Sequence, residues 1–214
     1  KAMRKYILIF IGLILFVTCE KEWIQSNLKL CSDEYFYYSG GSKIFLKHSL
    51  NEVWIVFKQK DLTGELAKSI LEKYSFISTD NLSSDSYYDQ IRAIINENWD
   101  CSDFKNYLKE LNKDIEISSA TPVFYLSDDD PMTYWILLSE VLAEYDNEKI
   151  TESEFIKYAE TLNLELIESK YLIQHFKVKD VETGFEALEI ANEIYESGKI
   201  HYSHPNFILA PIKS

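Results

Sequence analysis

Ile117-Ser-Ser-Ala-Thr-Pro-Val-Phe124 and Ile200-His-Tyr-Ser-His-Pro-Asn-Phe207 share an isoleucine, a proline and a phenylalanine at the same spacing. A shift of 83 residues carries Pro122 onto Pro205, Ile117 onto Ile200 and Phe124 onto Phe207. The same shift carries Phe104, Tyr107, Leu108 and Leu111 onto Ala187, Ile190, Ala191 and Ile194. Both sets recur at three- and four-residue spacing, which places each on one face of a helix. Each helix therefore leads into a strand that carries a proline. Proline has no N–H for a sheet ladder, so the strand that carries Pro205 is expected at a sheet edge or to end at the proline. Gly198 is able to take the left-handed conformation that stops the second helix.

Working outward, the front of each half carries a second matching set. Val53-Trp-Ile-Val-Phe57 and Tyr134-Trp-Ile-Leu-Leu138 are β-rich apolar runs and are aligned with each other. Each leads to a helix with a threonine near its start, Thr63 to Tyr74 and Thr151 to Leu162. Thr151 and Glu154 have the spacing of a capping box. Candidate strands follow, Phe76 to Thr79 with Ile91 to Ile95, and Leu164 to Ile167 with Leu172 to Val178. Each half then reads β-α-β-β-α-β, the split βαβ arrangement of ferredoxin-like folds. The expectation is an α+β chain of two tandem ferredoxin-like domains over residues 44–127 and 132–214. Two helices would cover one face of each antiparallel sheet, and the other face would bind something or pack on the sister domain. The acidic stretch Asp128-Asp-Asp-Pro131 is the expected linker. Ahead of the first unit, Glu34 to Leu46 reads as a β-hairpin turning at Ser39-Gly-Gly-Ser42. Tyr35, Tyr37 and Tyr38 make a row that either binds a partner or covers a sheet edge.

The chain has 214 residues, 46% of them hydrophobic, enough for a packed core. Lys+Arg 22 against Asp+Glu 35 gives a formal net charge of -13, which disfavours nucleic acid as a partner. Lys1, Arg4 and Lys5, an apolar run from Tyr6 to Val17, and Cys19 have the order of a secretory signal at residues 1–18 followed by a lipid-modified cysteine. Residues 19–43 would be the lipoprotein linker and the start of the hairpin. The expected address is the outer membrane or cell surface of a Gram-negative bacterium, with a membrane anchor at Cys19. Cys31 and Cys101 remain; they could pair outside the cytoplasm, but free buried thiols are expected, because nothing else in the sequence supports a pair. No nucleophile elbow, phosphate loop or metal-ligand spacing is present, and His201 and His204 fall on opposite faces of a strand. A non-catalytic chain without cofactor is expected.

The stretch Ala187 to Phe207, a short amphipathic helix, a glycine stop and a strand into His-Pro-Asn-Phe, resembles the end of the prodomains of secreted Bacteroidetes subtilisin-like serine proteases. Glu20-Lys21-Glu22 after the cysteine also resembles the export signal of surface lipoproteins of that group. The resemblance covers residues 44–211 and implies an inhibitor-type propeptide that chaperones and blocks a subtilisin-like protease by strand addition. It implies that Pro205, Asn206, Phe207, Ile208, Leu209 and Ala210 lie in the protease cleft. It also implies that carboxylates of the sheet hairpin, Glu165 or Glu168, meet helix N-termini of the protease. The catalytic motifs that follow in that family are absent from these 214 residues, so the module would act on a protease in cis or in trans. The competing expectation is a surface binding or adhesion lipoprotein with no protease role.

Overall fold

The computed structural model describes residues 28–96, 100–126 and 133–211. The expected signal segment, Cys19 and the expected acidic linker lie outside the described residues.

The hairpin forms first in the chain. Strands β1 (Leu30–Ser39) and β2 (Ser42–Phe57) are joined at Gly40 and Gly41, with φ of 55° and 81°. Two consecutive positive φ values make the tight turn that suits the strands' twist, and glycine accepts them without a side-chain clash. After β2 come β3 (Leu62–Thr63), α1 (Gly64–Leu71), β4 (Ile77–Ser78), β5 (Tyr87–Tyr88), β6 (Gln90–Ile95), α2 (Cys101–Asn112) and β7 (Ile117–Tyr125). The second half runs β8 (Thr133–Tyr145), α3 (Glu152–Thr161), β9 (Leu164–Lys170), β10 (Ile173–Val178), α4 (Glu186–Glu196) and β11 (Ile200–Pro211). Thr63, Asp100 and Thr151 cap the first three helices with side-chain oxygens, and Thr151 and Glu154 complete the capping box.

Nine strands form one antiparallel sheet, and β3 and β5 form a separate pair. Within it, β4-β6-β2-β7 is the order in the first half and β9-β10-β8-β11 the order in the second. The halves do not stack face to face. They join edge to edge, with Val123 opposite Ile136 and Phe124 opposite Trp135. The sequence-based alignment of Val53–Phe57 with Tyr134–Leu138 is corrected by the register. Pro122 faces Val53 on β2, and Pro205 faces Val141 on β8. Val53 thus corresponds to Val141, a shift of 88 residues, and that same shift carries Thr63 onto Thr151. The apolar run at Tyr134–Leu138 misled because β8 begins at Thr133, eight residues before Val141, which matches Val53.

One face of the sheet carries the core. Ile55, Ala120, Phe124, Leu137, Val141 and Phe176 point toward Phe104 and Leu108 of α2, Phe155 of α3, and Leu188 and Ile194 of α4. Burying each of these large apolar side chains contributes about 1.5–3 kcal/mol. Side chains also link β1 to the second half: Tyr37 touches Trp135 of β8 and His204 and Phe207 of β11. The hairpin is also fastened to α4. Tyr38 stacks on Tyr195 and donates to Glu196 at 2.7 Å, while Asn192 donates to the Phe36 carbonyl. Tyr35 stacks on Phe185. The tyrosine row therefore covers the core and the helix rather than facing solvent.

Asn112 at the end of α2 ties the halves together a second time. Its amide donates to the carbonyls of Ala120 and Glu182 and accepts from the Ala120 N–H. Gly184 sits there at φ 77°, and a Cβ on it would lie 2.3 Å from the Ala120 carbonyl oxygen. Only glycine permits that approach.

Cys31 and Cys101 are joined in a disulfide across a sequence separation of 70, contrary to the expectation of free thiols. The sequence gives no hint of this because the proximity is created by α2 docking beside β1. Cross-linking so distant a pair constrains the unfolded chain, so a Cys31→Ser/Cys101→Ser variant is expected to lose about 2–4 kcal/mol of stability in urea unfolding. An unchanged midpoint would contradict the bridge.

His48 is buried among Tyr35, Phe104, Phe124 and Phe185 with neither ring nitrogen hydrogen-bonded. Burial, reinforced by the Lys105 cation, lowers its pKa to about 4. The unfolded chain takes up this proton near pH 6.5, before the folded one does. The penalty is therefore absent above about pH 6.5, grows as pH falls, and is complete below about 4, reaching about 3 kcal/mol. His48→Phe should flatten the stability profile between those values; a profile identical to that of the unsubstituted protein would refute this.

Candidate functional site

No described helix covers the opposite face of the sheet, and polar chemistry gathers there around a buried centre in which Thr121, Val123, Tyr125 and Ile136 are at most 1% exposed. Alternation along β2, β6 and β7 points Glu52, Trp54, Arg92 and Tyr125 away from the core. Glu52 is only 7% exposed. It accepts a hydrogen bond from the Tyr125 hydroxyl at 2.7 Å and an ion pair from Arg92 Nε at 3.5 Å. The guanidinium carbon of Arg92 lies 4.4 Å from the centre of the Tyr134 ring. Burial and the Glu52 carboxylate hold the Tyr125 hydroxyl far above its ordinary pKa, so it stays a donor.

The second half repeats this arrangement. The 88-residue shift of the first strand carries Glu52 onto Glu140, and the 83-residue shift of the later strands carries Arg92 onto His175. His175 Nε2 lies 2.8 Å from Glu140, which also accepts from the Asn206 side chain at 2.7 Å. A carboxylate on the first strand, a basic group on the third and a neutral donor on the fourth thus occur in both halves. The first set is closed over by Tyr134, whose ring meets both Arg92 and Tyr125. The second is roughly a quarter exposed and adjoins a cleft of about 190 Å³ lined by Leu142, Glu168, Lys170, Tyr171, Ile173 and His175. Tyr171 closes the β9–β10 hairpin at φ 58° and is 88% exposed.

Glu165 and Glu168 fall on this same bare face, opposite Lys177 and His175 in the ladder, and both are exposed. Pro205, Asn206, Phe207, Ile208, Leu209 and Ala210 lie within β11, paired with β8 from Val141 to Tyr134. Pro205 is buried, Phe207 packs against Trp135 and Phe124, and Leu209 is 58% exposed. Among the described residues β8 is the only strand paired with β11, so β11 is an edge strand, as its proline suggests. The strand continues past Pro205 with a register irregularity between Pro205 and Phe207. Two strands, β8 and β10, separate the tail from the Glu165/Glu168 hairpin, a span of about 14 Å at ordinary strand spacing.

Sequence reading missed both polar sets. Their signal lies in the two proline registers, which give the correct strand equivalence only when β2 is aligned through Val53 and Val141. Compared with protein-family models, with curated proteins and with solved structures, the chain gives no match.

The two carboxylates differ in burial, and so should their substitutions. Glu52→Gln leaves the Arg92 cation without its charge partner and should cost about 2–4 kcal/mol, whereas Glu140→Gln should cost under about 1 kcal/mol. Equal losses in urea titrations would show that the first set is not the more enclosed one.

Proposed function

We propose that the chain is a non-catalytic, exported protein-binding module of the protease-propeptide kind, built from two ferredoxin-like units in tandem. The strand orders β4-β6-β2-β7 and β9-β10-β8-β11, each with two crossover helices, support the two-unit reading. Residues 44–127 and 132–214 would be the units, and Cys19 the lipid-anchored residue of a Gram-negative surface or outer-membrane lipoprotein.

The observation that carries the binding reading is the far end of β11, unpaired beyond β8 and bearing exposed Ile208 and Leu209, past the point where Tyr37 of β1 packs on His204 and Phe207. Such an edge presents N–H and C=O groups to an incoming strand, and alternate side chains give selectivity. A strand held in its own sheet offers one edge rather than two. Docking on a subtilisin-like protease would therefore extend this sheet along the rim of the protease cleft rather than thread a loose tail between two protease strands. Glu165 and Glu168 on the bare face would meet the protease's helix N-termini, where negative charge is favoured. The competing reading, adhesion through the tyrosine-rich hairpin, is weakened because Tyr35, Tyr37 and Tyr38 are spent on Phe185, Trp135 and Tyr195.

The test is a progress-curve assay of the exported chain against a panel of subtilisin-like proteases, paired with refolding of their denatured catalytic domains. Slow-onset inhibition or faster refolding is expected, weakened about tenfold or more by Ile208→Asp/Leu209→Asp. Failure to inhibit or assist any member would abandon the protease in favour of another protein partner.

A further inference from the structure

The solvent side of the β1–β2 hairpin is unlike the rest of this acidic surface. Lys47 stands opposite Tyr125 and points away from the core with it, and alternation turns Phe45 and Lys43 the same way. Their ladder partners Phe36 and Tyr38 share that face. Phe45 is 55% exposed, and its ring centre lies 5.9 Å from that of Phe36. The Lys43 ammonium lies 3.8 Å from the centre of the Phe36 ring. Tyr38 is held at the rim by Tyr195 and Glu196 of α4. The outward positions Phe36, Tyr38, Lys43, Phe45 and Lys47 thus carry aromatic rings and cations and no carboxylate, in a chain of net charge -13. The hairpin is also the first element after the proposed anchor. Eleven residues separate Cys19 from Leu30, a length of chain that reaches at most about 40 Å. Phe36 lies about 20 Å along β1 from Leu30, so the tether is long enough to let this face meet the bilayer.

We infer that this face of the hairpin rests on an anionic phospholipid surface, with Phe36 and Phe45 in the headgroup layer and Lys43 and Lys47 against lipid phosphates. The inference rests on the export and the Cys19 anchor proposed above, not on the partner being a protease. Phenylalanine rings and lysine stems suit that layer, because their apolar parts leave water while the ammonium stays in it. An anionic surface attracts the two lysines and repels the acidic remainder of the chain, so it selects this face over the others. Two phenylalanines and two lysines bind a bilayer weakly by themselves. The tether holds them at high local concentration, so the contact needs little affinity of its own. An acidic protein would satisfy the lysines as well; the tether favours the bilayer, because it brings that surface to the hairpin in every molecule.

Lysine acetylation of the full chain tests it, in solution and on vesicles of phosphatidylcholine with about 30% phosphatidylglycerol, read by peptide mass spectrometry on the floated fraction. Labelling of Lys43 and Lys47 should slow about fivefold or more on the vesicles. Lys60 and Lys170, exposed on other elements, should label as they do in solution. Phe45→Asp should return Lys43 to its solution rate while the chain still floats. Unslowed labelling of Lys43 would overturn the inference and leave the face to an acidic protein. Equal slowing at Lys60 and Lys170, or an unaffected Phe45→Asp variant, would overturn it too. A chain that does not float would overturn it together with the anchor, so the two failures are distinguishable. Should Phe45→Asp fail to fold, the footprint of the unsubstituted chain decides alone.

Discussion

Two residue pairs, Val123 with Ile136 and Phe124 with Trp135, hold the halves of this sheet together. Everything else about the exposed surfaces follows from that short joint. Were the halves packed face to face, the sides without helices would be buried against each other, and neither Glu52 nor Glu140 would have a solvent boundary. Joined edge to edge, they share one apolar face under four helices and leave the opposite face bare of helices, with Glu140, His175, Glu165 and Glu168 reaching solvent there. The joint is too short to fix the halves alone. Asn112, bonded at once to Ala120 and to the Glu182 carbonyl, and Gly184, pressed against the Ala120 carbonyl, brace it from the helix side. The hairpin adds a third brace, since Tyr37 reaches Phe207 and Tyr38 reaches Glu196.

That bracing gives the two bare faces different characters. On the first, long side chains close over one another, and the Glu52 carboxylate is neutralised by a guanidinium held at short range. Such an enclosed pair costs desolvation and is worth keeping only when every lone pair is met, which Tyr125 helps to do. On the second, a smaller imidazole and an amide meet Glu140, and the outer hairpin leaves Glu165, Glu168 and Tyr171 in solvent. The surface suited to a partner is thus the second half's, bounded on one side by the edge strand β11 and on the other by the β9–β10 hairpin.

Much of the fold was legible in the residues. The apolar spacing of Phe104 to Leu111 and Ala187 to Ile194, the threonine caps and the paired glycines at 40 and 41 report local geometry directly, and the helices and hairpin lie where those signals put them. Pro205 correctly marked an edge strand, whereas Pro122 lies in β7, which pairs with β2 on one side and β8 on the other. What could not be read depends on three-dimensional neighbours. The Cys31–Cys101 bridge requires the start of β1 and the start of α2 to meet. The true alignment of β2 with β8 requires the ladder partners of Pro122 and Pro205. Glu52, Arg92, Glu140 and His175 look like ordinary surface charges in the sequence, because nothing in their immediate neighbours tells that each pair shares one face of adjacent strands. The role assigned to Pro205 through Ala210 was drawn from resemblance; the structure places those residues in β11, in register with β8.

Hydrogen exchange at the joint tests the account most directly. If the halves form one sheet, the ladder amides contributed by Val123, Phe124, Trp135 and Ile136 exchange only on global unfolding, as slowly as those at the centres of β2 and β8. Rapid exchange at the joint, with each half protected separately, would mean that the two halves are independent bodies and that the shared bare face does not exist.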